Sequence, residues 1–163
     1  MWQDKGFIED DIIDAPAAML ELAALMVYVR KQYEALPGAE LLGYPAPGKW
    51  SKKQVLGHLI DSAINNLKRF TDAQVVEQPY NIISYQQEGL MAVNDYQKLP
   101  LQHLLGLWQL LNQQIIFVVE RMPAEKLQYQ VQPQYNKTGT QTLAWLICDY
   151  VAHLQHHLRY MAL

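Results

Sequence analysis

The 163-residue chain has a single cysteine, Cys148, which excludes an internal disulfide and any paired-cysteine metal knuckle. That residue stands in the apolar run "WLICDY" and reads as a buried small hydrophobe rather than a nucleophile. Positive charge is scarce as well. Thirteen lysines and arginines face 16 aspartates and glutamates, for a net charge of −3, and they form only short clusters such as Lys52-Lys53 and Lys68-Arg69. Such a surface carries no basic footprint, so no nucleic-acid partner is expected. Long apolar runs are missing too. The longest uncharged stretch, residues 99–119, is broken by Gln102, His103, Gln109, Asn112, Gln113 and Gln114, which argues against a membrane span. The opening "MWQDKGFIEDDIIDAP" is acidic and lacks the basic and apolar parts of a signal peptide, so a soluble cytoplasmic protein is expected. There is no useful period-2 strand pattern, internal repeat or low-complexity segment.

What remains is helical. Half the residues are apolar, enough for a sizeable core in one domain spanning residues 1–163. Asp14 is a good N-cap for a first helix with Pro16 in its first turn, running to Pro37-Gly38. Ser51 starts the second, with Gln54 as capping-box partner, and it runs through "KKQVLGHLIDSAINNLKRFTDA". Residues 75–98 carry turn signals at Pro79 and Asn94-Asp95, with a short helix expected near Ser84. Pro100 suits the first turn of a third long helix that Pro123 ends. After the loop "QPQYNKTGT", Thr140 is the expected cap of a fourth helix reaching the C-terminus. The fold class is therefore all-α, a four-helix bundle, and the long link between helices two and three has room for a crossover.

Three of the five histidines lie in "DYVAHLQHHLRY". On a helical wheel His157 turns towards the apolar face of helix four, His153 sits at its edge, and His156 lies about 60° from His153 on the far side. An i,i+4 pair can reach one ion, so His153 and His157 are ligand candidates, while His156 is exposed or supporting. On spacing alone, two partly buried polar residues at a helix end is an equally good reading, because this helix lacks the glutamate of HExxH. A third ligand would have to be His58 or His103. His58 shares a polar row with Ser51, Gln54, Ser62, Asn65 and Arg69, between the apolar and charged sides of helix two. Such a row can line a pocket mouth, but periodicity alone favours ordinary surface. His103 has no comparable row and reads as surface or boundary.

The stretches "GKWSKKQVLGHLIDSAINNLKRF" and "WLICDYVAHLQHHLRYM" resemble the DinB/YfiT-like family of bacterial four-helix proteins. The matching elements are Trp50-Ser51, His58-Leu59-Ile60-Asp61-Ser62, Arg69-Phe70 and the His-x-x-His-His element at His153 to His157. The aromatic before that element stands one position nearer than in the family, at Tyr150, and Tyr160 replaces a further histidine that the YfiT-type branch often carries. The resemblance implies a metal site of His58, His153 and His157, binding zinc or nickel. It also implies either a hydrolase acting through metal-bound water or a transferase that activates a low-molecular-weight thiol, in both cases on a small-molecule substrate.

Asp61, Asn65, Asp149 and His156 could orient the ligands, and Arg69 could hold an anionic group; surface roles suit these residues equally well. A helical binding module without chemistry is a third reading. The low charge of helix four fits it, since such a helix sits in the bundle core or helps to cover a homodimer interface.

Overall fold

The computed structural model describes residues 14–134 and 139–163; the acidic opening and part of the loop before the last helix lie outside them. Four long helices carry the fold: α1 (Ala15–Ala35), α3 (Lys52–Asp72), α5 (Leu101–Glu120) and α6 (Leu143–Tyr160). Two shorter ones, α2 (Gly38–Leu42) and α4 (Gln87–Asn94), lie in the first two links. Their ends follow local chemistry. The Asp14 carboxylate accepts from the Ala17 amide at 2.8 Å, and Ser51 and Gln54 form the reciprocal capping box.

Two expected boundaries move. The short helix begins at Gln87, not near Ser84, whose hydroxyl instead donates to Gln134 Oε1 at 2.6 Å. The last helix is capped by Thr142, whose hydroxyl accepts from the Trp145 amide at 3.1 Å, while Thr140 Oγ1 donates to Gln130 Oε1. The cause of the second shift is a small sheet that the sequence did not suggest. It consists of β1 (Tyr80–Asn81), β2 (Gln130–Gln132) and β3 (Gln141–Thr142), in that order, with a parallel first pair and an antiparallel second. Strands of two or three residues are too short to display a period-2 pattern. Pairing of Gln141 and Thr142 with β2 prevents the helix from starting earlier.

Helix direction can be read from the contacts. Tyr33 near the end of α1 donates to the Lys52 carbonyl at the start of α3 and meets Met161 just beyond α6, while Glu21 accepts from Gln155. Helices α1 and α6 therefore run parallel. Lys53 reaches the Gln97 carbonyl at one end of the bundle and Lys126 the Gln74 carbonyl at the other, so α3 and α5 are also parallel. Arg30, late in α1, pairs with Gln102 and Gln109 in the first half of α5, which makes those two antiparallel. Parallel neighbours require the chain between them to travel back along the bundle, about 30 Å for helices of this length. The link from Ala73 to Pro100 makes that crossover, as its length allowed.

The core is filled by Leu22, Tyr33, Leu56, Leu59, Ile60, Phe70, Leu104, Leu105, Trp108, Ile115, Leu143 and Ile147, all fully buried. Burial inside the chain of Leu143, Ile147, Val151, Leu154 and Leu158 accounts for the apolar character of α6. No helix among the described residues is long and apolar enough to cross a membrane.

Candidate metal centre

Helix α3 is covered on more sides than a bundle helix usually is. Besides α5 and α6, it packs against α2, α4 and the short 3-10 turn Tyr96–Lys98. The polar row expected at the surface is thereby largely buried: Ser51, His58, Ser62 and Arg69 are all inside, with Asn65 half-buried. His58 retains 1% of its exposure and His157 only 2%, while His153 is half-buried. His103 is exposed, in agreement with its expected place.

His58 on α3 faces the His153–His157 pair on α6. The Nε2 atoms of His58 and His153 are 3.4 Å apart, and those of His157 and His153 3.0 Å. One ligand atom from each of the three lies within 4.8 Å of the others. His153 Nδ1 stands 3.4 Å from Ser62 Oγ. A proton on Nδ1 shared with that hydroxyl leaves the Nε2 lone pair turned towards the other two rings. Trp50 packs beside His58, with ring centroids 5.1 Å apart. Burial holds the imidazoles neutral. It lowers His58 to about 4, and burial together with the neighbouring histidines lowers His157 to about 3. His153 is likewise pushed well below the ordinary histidine value, first by burial and then by His157 and His58.

The other sequence candidates fall in different places. Asp61 turns to the crossover link, accepting from the Tyr96 hydroxyl at 2.6 Å and from Asn94 Nδ2 at 3.2 Å. Burial raises its pKa. Asn65 bonds back to the Asp61 carbonyl of its own helix. Arg69 donates to the Ile83 carbonyl at 2.8 Å and lies over the Tyr85 ring, pinning the link against α3. Asp149 is half-buried one turn before His153, and the His156 ring packs edge-on to His157. Tyr150 is a core residue whose hydroxyl donates to Asn112 Oδ1 at 2.6 Å.

Ser62 stands in the polar row of α3, where the sequence alone gives it no role, and Lys49, Glu88 and Tyr160 are not among the candidates the sequence offers. With Trp50, Val55, Gly48 and His157, those three line a cavity of about 70 Å³. Glu88 and Lys49 lie in links and show no periodic signal. Tyr160 does carry one, because it is three residues beyond His157 on the same helix.

The fold agrees with comparison to known proteins. The sequence profile of the DinB superfamily matches residues 22–161, and the chain belongs to that family. Among solved structures it is similar to YfiT from Bacillus subtilis, with a TM-score of 0.81 and 19% identity over 99% of this chain and 90% of that one. YfiT is described as a probable metal-dependent hydrolase with an unusual four-helix bundle topology. No curated protein matches the chain.

Proposed function

We propose that the chain is a metal-dependent enzyme in which His58, His153 and His157 hold one divalent ion, zinc or nickel, for hydrolysis of a small-molecule substrate. The observation that carries this reading is the convergence of three neutral Nε2 atoms from two helices. Three nitrogens bound tetrahedrally to one ion at 2.0–2.1 Å stand about 3.3 Å apart, and the spacings of 3.0 and 3.4 Å lie on either side of that value. Among the described residues these three imidazoles are the only metal-ligating groups that converge, which fits a centre with positions left for water and substrate. An ion held there supplies a Lewis acid and makes water a nucleophile near neutral pH. The description of YfiT supports the same reaction class.

The chain's own groups have separable tasks. Ser62 holds the His153 ring in the orientation that presents Nε2, and Trp50 limits the swing of His58. Burial excludes protons from the imidazoles at neutral pH. In the small cavity at His157, Lys49 offers a cation to a negative substrate oxygen, and Glu88 offers a carboxylate to accept a proton.

Metal analysis of protein purified without a nickel column tests the centre. One ion per chain is expected, lost in His58→Ala and in His153→Ala; absence of metal, or its retention in both variants, overturns the proposal. Loaded protein is then assayed for ester and amide hydrolysis and for conjugation of a model electrophile with low-molecular-weight thiols. Hydrolysis alone supports the reading. Thiol conjugation alone reassigns the centre to S-transfer.

A further inference from the structure

The Trp50 indole that packs beside His58 also lines two cavities. The smaller is the one at His157. The larger, of about 510 Å³, lies between α2, the loop that follows it, the start of α3 and the end of α6. Its apolar walls are Ala39, Tyr44, Pro45, Val55, Tyr160 and Met161. Trp50, Val55 and Tyr160 border both cavities, so one continuous surface leads from His157 to the larger space.

Three properties suit the larger space to a ligand. Its volume is that of small-molecule pockets, which are mostly apolar with a few polar groups placed to orient the ligand. Its two charged residues, Lys52 and Glu40, lie 3.6 Å apart, so each charge is answered by the other. Its polar neighbour is the smaller cavity, where Lys49, Glu88 and His157 gather. Polar chemistry and apolar contact are thus divided between two adjoining chambers, with Trp50 between them.

We propose that the larger cavity binds the apolar arm, aromatic or branched aliphatic, of a small molecule whose polar group lies against His157. The role of that polar group rests on the metal-centre reading; the binding of the arm does not. The substrate class is then an amphiphilic small molecule, and Trp50, Tyr44 and Tyr160 determine its specificity. Flat aromatic walls favour a flat or branched partner through stacking and close apolar contact.

The arm is tested without metal. The full chain, stripped of metal and labelled with ¹⁵N, is titrated with 2-phenylethanol. The Trp50 indole signal and the amides of Ala39 and Tyr44 are expected to shift with saturation, and Ala39→Trp, which fills the cavity from an exposed position on α2, is expected to abolish those shifts. If these signals stay still, move equally in Ala39→Trp, or give way to shifts around the separate cavity at Met19 and Leu127, the proposal is overturned.

The link to the polar chamber is tested on zinc-loaded protein. An arylalkyl hydroxamate is expected to bind at least about tenfold more tightly than acetohydroxamate, with the difference lost in Ala39→Trp. Equal affinities overturn the amphiphilic class and leave the metal centre intact. Failure of both hydroxamates to bind strikes the metal centre, while the shifts in metal-free protein still decide the arm.

Discussion

His58 and His153 are 95 residues apart in the chain, yet their Nε2 atoms stand 3.4 Å from each other. Each is held from behind by a residue of helix α3 or its cap region: Trp50 packs beside His58, and Ser62 meets Nδ1 of His153. The centre is therefore assembled mainly by one helix pair, α3 and α6.

Metal loading should stabilise the fold. A ligand that binds only the folded chain adds about 2.7 kcal/mol at one hundred times its dissociation constant. Thermal unfolding with and without zinc is expected to show a clear rise in Tm, absent in His58→Ala. His103→Ala, altered at an exposed position outside the histidine cluster, should keep the full rise.

Acid should destabilise the metal-free protein early. His58 and His157 are lowered from 6.5 to about 4 and about 3 in the folded state. Between pH 6.5 and those values the unfolded chain binds protons that the folded chain refuses. Stability is thus complete above about pH 6.5 and falls as the pH drops towards 4, by up to about 1.4 kcal/mol per pH unit for each histidine. Urea unfolding of metal-free protein at stepped pH reads the slope; a flat profile from pH 7 to 4 would contradict neutral burial.

Ser62→Ala should weaken metal binding by about tenfold without removing a ligand, because His153 loses the group that orients its ring. Competition with a chelator measures the change. Unaltered affinity would show that packing alone positions His153.

Gly57→Ala should destabilise the protein although alanine is the better helix former. The intrinsic gain is about 1 kcal/mol. Against it, a Cβ at this position would stand 2.2 Å from Tyr96 Cδ2 and 2.8 Å from Tyr96 Cβ, so rotating the ring brings no relief. A net loss of about 2 kcal/mol is expected from denaturant unfolding. Tyr96→Ala in the same chain should cancel much of the additional loss, seen as a coupling energy in a double-mutant cycle.

Tyr96→Phe isolates the polar part of the same contact. It removes the hydroxyl that donates to Asp61 Oδ1 at 2.6 Å, beside Asn94 Nδ2. A loss of about 1–3 kcal/mol is expected, since a buried carboxyl gives up its shortest partner.

Much of this protein can be read from the order of its residues. The caps at Asp14 and Ser51, the punctuation at Pro37, Pro100 and Pro123, and the apolar faces place all four long helices. The i,i+4 spacing of His153 and His157 puts both on one side of α6, and the wheel ranks their burial as found. These are local properties, set by about 100° of turn per residue and by backbone groups a few positions apart. Tertiary structure decided the rest. Helix α2 has five residues and α4 eight, too few for a periodic signal, yet with the Tyr96 turn they cover the polar row of α3 and turn an expected surface into an interior. The crossover lays α3 parallel to α5, and packing of α3 on α6 carries His58 to the pair on the last helix. A helical wheel records which way a side chain points from its own axis. Which other surface lies opposite is decided only when the links have folded over it.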